Sequence, residues 1–318
     1  MQTRYLSTFI FICILCSYHL NAQTIPYPYP VKSFNVNIEG QDYPMSYMDV
    51  QPLKPNGQNV ILFHGKNFSG LYWSNTIKFL SAEGYRVVTP DQVGWGKSAK
   101  PSVKYTFEML AHNNKLLLDF LGINKVIVIG HSMGGMLASR FALLYPETTS
   151  KLILEDPLGL EDYKKFIPYS SMDAIYKKEL TATYASYKKY QMSYYPVWKP
   201  AYELYVKAQA VPLKHKDFAS VAWVNALTYQ MIYEQPVLYD FDKLTMPVLL
   251  IVGESDRTIP GKDKLDKINQ KLHGNYPQLA LKASKKIKNS KVITLPGVGH
   301  IPHIQVPELF NRRILEFL

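Results

Sequence analysis

The sequence predicts an α/β fold: a mostly parallel eight-stranded sheet covered by helices on both faces, interrupted by an inserted helical cap. Three observations predict it. Short, nearly continuous apolar runs rich in Val, Ile and Leu recur at 59–63, 85–89, 125–129, 151–154, 248–252 and 291–295, as buried parallel strands require. Helix-forming segments at 72–82, 106–121, 133–145 and 307–318 alternate with them, which a sheet covered on both sides demands. The alternation fails between about 158 and 240, a stretch rich in Tyr, Lys and Met with several prolines.

The chain of 318 residues suits one core with one insertion. Its 47% hydrophobic and 19% charged residues allow a sizeable core and exclude a disordered chain. Residues 1–22 read as a secretion signal, with Arg4 near the start, an apolar run at 9–16, and Leu20, Asn21 and Ala22 before a cleavage point at Gln23. The apolar run is shorter than the roughly 20 residues of a spanning helix, so no stable membrane insertion is expected after cleavage. Leu15 stands where a small residue would precede a lipidated Cys16, which disfavours a lipid anchor. Both cysteines, Cys13 and Cys16, fall inside this segment, so cysteine catalysis and cysteine metal sites are excluded from the mature chain. A periplasmic or secreted location is expected. The net charge of +11 comes largely from lysines at helical spacing among polar residues, the pattern of a solvated face, and no nucleic-acid recognition motif accompanies it.

The first core segment, 23–157, begins with a stretch at 31–50 that alternates enough for a β-hairpin turning near Glu39, Gly40 and Gln41. The strand at 59–63 ends in His64-Gly65-Lys66-Asn67-Phe68, and the strand ending at Thr89 runs into Asp91-Gln92-Val93-Gly94-Trp95-Gly96-Lys97-Ser98, whose glycines suit a tight loop. After the strand at 125–129 comes Gly130-His131-Ser132-Met133-Gly134-Gly135 and then an apolar helix. A G-x-S-x-G between strand and helix holds its serine in a strained, exposed turn, and the glycines leave room for strand against helix. Ser132 is therefore the expected nucleophile, with the backbone N–H of Met133 free at the helix start to meet an oxyanion.

The insertion, 158–240, reads as mostly helical. Its tyrosines, including Tyr184, Tyr187, Tyr190, Tyr194 and Tyr195, are expected first to pack the cap onto the core and second to line an access channel. In the last segment, 241–318, a strand ending at Val252 leads to Gly253-Glu254-Ser255-Asp256-Arg257-Thr258-Ile259-Pro260, and the final strand leads to Gly297-Val298-Gly299-His300. A nucleophilic serine needs a base within hydrogen-bond reach and a carboxylate to orient that base. His300, lifted by a glycine-framed loop, is the expected base, and His303 the competitor with a structural role. His64 and His131 are expected to hydrogen bond within their loops. Asp256 is the expected acid and Asp156 the alternate, while Glu254, nearer the strand, should face away.

In order, HGKNFSG, DQVGWGKS, GHSMGG, GESDRTIP and GVGHIPH resemble the α/β-hydrolase superfamily from 31 to 318, and within it the cap-bearing branch of serine hydrolases. The resemblance implies the chain order serine, acid, histidine, a second oxyanion donor at the backbone N–H of Lys66 with Asn67 as fallback, and no metal or organic cofactor. It implies a small-molecule substrate, an ester cleaved through an acyl-enzyme. Cleavage of a carbon–carbon bond beside a ketone is the alternative, although Asn225 in the segment 223–229 lacks the arginine usual there. Epoxide hydrolases and haloalkane dehalogenases use a carboxylate nucleophile, which Ser132 argues against. Peptidase and perhydrolase activities share these motifs, and a binding protein that keeps the triad as a pocket is the reading from another class. Asn67, Asn225 and Tyr229 are the expected substrate contacts, and the Lys66 side chain is a candidate partner for an anionic substrate group.

Overall fold

Alternation at the start of the chain produces a hairpin: β1 (Val31–Ile38) and β2 (Gln41–Val50) pair antiparallel, and Glu39 and Gly40 turn between them with φ of 53° and 81°. The computed structural model describes residues 25–318, so the expected leader lies outside the described residues. The apolar runs become β3 (Asn59–Phe63), β4 (Arg86–Pro90), β5 (Val126–His131), β6 (Thr149–Glu155), β7 (Val248–Gly253) and β8 (Ser290–Leu295). Together they form one eight-stranded sheet in the order β1-β2-β4-β3-β5-β6-β7-β8, parallel from β4 onward. Every residue of β5 and β7 is buried. β8 departs from the expected burial: only Leu295 is fully buried, because β8 is an edge strand with one neighbour.

Helices cover the sheet as their apolar faces dictate. α1 (Ser74–Ala82), preceded by a 3-10 turn at Gly70–Trp73, sits on one face, and α2 (Phe107–Phe120) and α3 (Met133–Leu144) on the other. Thr106 caps α2 by accepting the Met109 N–H. Between β6 and β7 the chain forms α4 (Met172–Leu180), α5 (Tyr184–Met192), α6 (Glu203–Ala210) and α7 (Phe218–Glu234). Ser171 caps α4, and a capping box of Thr183 and Ser186 starts α5. α8 (Lys267–Leu272) and α9 (Tyr276–Ser284) follow β7, and α10 (Pro302–Gln305) and α11 (Pro307–Leu315) close the chain. α9 joins the α2 and α3 side through Ala280 and Ala283, and α11 joins α1 through Phe310 and Ile314. Among the described residues no helix is long and apolar enough to cross a membrane.

The strand order fixes where a site can form. After β3 the chain steps to β4 on one side, then returns past β3 to β5 on the other. Loops leaving the C-terminal ends of β3 and β5 therefore diverge, opening a crevice at this switch point. His64–Lys66 and Ser132 stand at those two ends.

Candidate active site

Backbone sterics build the nucleophile turn. Ser132 has φ 56° and ψ −120°, a left-handed conformation that costs a non-glycine residue of order 1–3 kcal/mol. Close packing on each side holds it there. A Cβ on Gly130 would lie 2.1 Å from the Gly134 carbonyl oxygen, and one on Gly134 would lie 2.2 Å from the Phe63 carbonyl oxygen. These are backbone contacts that cannot swing aside. Gly134→Ala is expected to destabilise the fold by about 3 kcal/mol or more, as measured by urea unfolding. The Ser132 N–H donates to the Glu155 carbonyl (3.0 Å), and the Ser132 carbonyl accepts from Gly135 and Leu158.

At the end of β3, Gly65 brings the next turn against this one: a Cβ there would lie 3.2 Å from Ser132 Cβ. Lys66 follows directly, its carbonyl accepting the Trp95 indole N–H (2.5 Å). Among the described residues neither the Lys66 N–H nor the Met133 N–H donates to a protein acceptor. Two unspent donors thus flank Ser132, one of them at the positive end of α3.

Base and acid come from interlocked loops. A Cβ on Gly253 would meet the Gly299 carbonyl at 2.1 Å, and the Ser255 N–H donates to the Val298 carbonyl (2.8 Å). His300 Nε2 lies 2.9 Å from Ser132 Oγ, and His300 Nδ1 lies 2.7 Å from Asp256 Oδ2. All three side chains are buried. Asp256 Oδ1 also accepts the Thr258 N–H (2.8 Å). Burial pushes the Asp256 carboxyl up, but His300 and hydrogen bonds from His300, Thr258 and Asp156 outweigh it and hold Asp256 below the usual range.

Asp156, the alternate acid, stands behind Asp256 rather than beside the histidine. Its carboxyl accepts the Gly253 N–H and hydrogen bonds to Asp256, and burial followed by the Asp256 charge pushes it well above the carboxylate range. The opposite shifts of the pair make Asp156 the carboxyl that donates and Asp256 the one that accepts. Asp156, Asp256 and His300 bring one ligand atom each within 4.8 Å, but these atoms hydrogen bond to one another. Glu254 faces solvent and accepts the Gly297 N–H.

His64, His131 and His303 have partners away from Ser132 Oγ. His64 Nε2 accepts the Gln92 N–H (3.0 Å) while its Nδ1–H meets the Gly65 carbonyl (2.9 Å). His131 Nε2–H donates to the His300 carbonyl (2.7 Å), Tyr72 donates its hydroxyl proton to His131 Nδ1 (2.9 Å), and the Tyr72 oxygen accepts the Gly65 N–H (2.8 Å). A carbonyl only accepts, so this chain fixes the His131 tautomer; burial keeps the imidazole neutral despite Glu155. It ties the base loop to the turn of Lys66.

His303 is bound to Glu155: its backbone N–H and Nδ1 lie 2.8–2.9 Å from the carboxylate, and its ring stacks on Trp73 at 4.0 Å. Burial raises Glu155 to about 7, against the pull of His131 and the His303 N–H. The folded carboxyl therefore holds its proton more tightly than the unfolded one at 4.5. This contribution to stability is complete below about pH 4.5 and is lost as pH rises through 7. Between pH 4.5 and 8 the wild type is expected to lose up to about 3 kcal/mol relative to Glu155→Gln, as read from urea unfolding at the two pH values.

Sequence reasoning missed three of these supports. Tyr194, from the insertion, accepts the His300 N–H on its carbonyl (2.7 Å) and tilts its ring 5.0 Å from the His300 ring. Tyr72 and the Glu155 side chain carry no local motif that could have marked them. Of the cap tyrosines, Tyr194 and Tyr195 are buried, Tyr184 and Tyr190 are exposed, and Tyr187 lines a cavity of about 280 Å³ beside Lys66. Asn67 and Asn225 also line that cavity, with Asn67 donating to the Tyr194 hydroxyl (2.8 Å). Tyr229 does not: its hydroxyl turns to Lys264 (3.3 Å), across from Gly261.

A serine, a histidine and a carboxylate hydrogen-bonded in line, at the carboxyl edge of a parallel sheet, define the class of folds that place a triad on strand-end loops. The family model for the alpha/beta hydrolase fold matches residues 58–307, and the chain belongs to that family. The chain is 44% identical, at a TM-score of 0.90, to the crystal structure of a probable hydrolytic enzyme from Pseudomonas aeruginosa PAO1, covering 92% of this chain and 95% of the other. It is 28% identical over 299 residues to 2-hydroxy-6-oxononadienedioate/2-hydroxy-6-oxononatrienedioate hydrolase of Burkholderia vietnamiensis, covering 90% of this chain and 95% of that protein. It is 27% identical over 274 residues to a putative 2-succinyl-6-hydroxy-2,4-cyclohexadiene-1-carboxylate synthase of Bacillus subtilis, covering 83% and 92%.

Proposed function

We propose that the protein is a serine hydrolase that cleaves carboxylic esters of a small molecule through an acyl-enzyme. The observation that carries this reading is the continuous line Asp256 Oδ2, His300, Ser132 Oγ at 2.7 and 2.9 Å, flanked by the unspent N–H groups of Lys66 and Met133. His300 takes the Ser132 proton as Oγ attacks the carbonyl carbon, and the two N–H groups hold the oxyanion. Collapse expels the alcohol, which leaves with the proton returned by His300. Water, deprotonated by His300, then attacks the acyl-enzyme, releasing the acid and restoring Ser132. Asp256 keeps the proton of His300 on Nδ1 so that Nε2 faces the serine. Losing one oxyanion donor typically costs about 2.7–4 kcal/mol of transition-state stabilisation.

Labelling of the purified protein by a fluorophosphonate, followed by a panel of esters of increasing chain length, tests this reading. Labelling and ester turnover are expected; an unlabelled wild type overturns it. The Burkholderia relative, whose name carries a 6-oxo group, favours a second reading, cleavage of a carbon–carbon bond next to a ketone. Full labelling without turnover of any ester shifts the assignment there. Export is part of the proposal and rests on the features of residues 1–22. Amino-terminal sequencing of the protein from its native host is expected to begin at Gln23.

A further inference from the structure

The proposed reaction uses the backbone N–H of Lys66 and leaves its side chain unassigned. That side chain is half-buried and lines the 280 Å³ cavity, together with Asn67, Trp95, Tyr187, Tyr205 and Asn225. Three lysines and one aspartate, Asp217, stand in the wall. Lys100 is engaged, its Nζ donating to the carbonyls of Gly96 (2.7 Å) and Ser98 (3.2 Å). Lys97 is exposed, with its Nζ 4.5 Å above the Tyr27 ring. Lys66 differs from both. Among the described residues its ammonium has no carboxylate within 4.0 Å and no hydrogen-bond acceptor.

Burial pulls the Lys66 ammonium below the usual lysine range, and Glu179 opposes the shift from beyond ion-pair distance. Glu179 is itself held by the Asn225 amide (3.3 Å). A half-buried cation with no protein acceptor is only partly hydrated, and a bound anion supplies the missing partner. Its position is informative as well. On the proposed reading the Lys66 N–H holds the oxyanion, which puts a partner for Lys66 Nζ within about one lysine side chain of the reacting carbon. A single free ammonium balances a single negative charge, which suits a carboxylate better than a phosphate dianion.

We propose that this cavity binds a carboxylate carried by the substrate itself, so that the preferred substrate is an ester with a free carboxylate a few methylenes from the scissile carbonyl, paired with Lys66 Nζ. The inference rests on the serine-hydrolase reading and names its substrate class. The aromatic walls take the methylenes between the two groups, and Lys66 reads both ends: the carbonyl through its backbone and the carboxylate through its side chain.

Matched esters test it: monoethyl glutarate and monoethyl adipate against ethyl pentanoate and ethyl hexanoate, followed by ethanol release. The wild type is expected to favour the anionic member of each pair at least tenfold in kcat/KM, and the preference should shrink as sodium chloride is raised. Lys66→Met, which keeps the backbone N–H, is expected to cut the anionic-to-neutral ratio tenfold or more through KM, and Lys66→Arg to retain most of it. A wild-type ratio at or below one overturns the proposal, as does a ratio that Lys66→Met leaves unchanged. Should Lys66→Met fail to fold, the wild-type ratio and its salt dependence decide. If no ester is turned over, calorimetry of Ser132→Ala with monoethyl adipate separates the two claims. Salt-sensitive binding upholds the carboxylate site while the ester reading fails, and absence of binding overturns the site.

Discussion

Ser132→Ala is expected to lower kcat for ester hydrolysis on the order of 10⁶-fold and to abolish fluorophosphonate labelling, with the thermal midpoint almost unchanged. On the proposed reading the attacking atom is lost, and among the described residues no other hydroxyl is hydrogen-bonded to His300 Nε2. The fold should tolerate the change, because the turn is held by backbone contacts of Gly130 and Gly134 and by the Ser132 N–H and carbonyl, none of which involves Oγ. Retention of more than about 1% of wild-type turnover by a folded Ser132→Ala protein would remove Ser132 from the reaction.

Asp256→Asn is expected to lower kcat by about 10⁴-fold at neutral pH, while Asp156→Asn costs less than about tenfold. The difference follows from which oxygen faces the base. In the variant, Oδ1 keeps the Thr258 N–H, so the new amide group faces His300 Nδ1 and forces the imidazole proton onto Nε2. His300 can then no longer accept the serine proton. Asp156 stands as the donor to Asp256 and an acceptor for Gly253, and asparagine supplies both functions. Asparagine also tolerates the positive φ of 37° at this position. Equal losses from the two substitutions would mean that the carboxyls act as one unit, and a larger loss from Asp156→Asn would reverse their roles.

Much of the frame was legible in the sequence because it is local. The run at 59–63 became β3 with the same ends, and the hairpin at 31–50 turned at Glu39 and Gly40. Continuous apolar runs, turn glycines and a serine between strand and helix act within a few residues of chain. Boundaries moved where tertiary contacts intervene: β5 runs on to His131 because Gly130 and His131 pair with Leu154 and Glu155 of β6. The expected burial of 291–295 failed because no local pattern says that β8 is the edge.

The site was legible to a similar depth. Ser132, Asp256 and His300 stand out by motif, and the structure brings them together; Tyr229, chosen by its place in the insertion, lies against Lys264 instead. The sequence by itself determined the α/β class, the family resemblance and the serine, histidine and carboxylate that the structure brings within hydrogen-bond distance of one another. Only the tertiary structure decided that Asp256 rather than Asp156 faces His300, that Glu155, Tyr72 and the Tyr194 carbonyl support the site, and that Lys66 lines a cavity where its ammonium has no acceptor among the described residues. The physical reason is range: turn geometry and apolar period are set by neighbours in the chain, whereas hydrogen bonds spanning 44 to 168 residues depend on how β3, β5, β6 and β7 are ordered in the sheet.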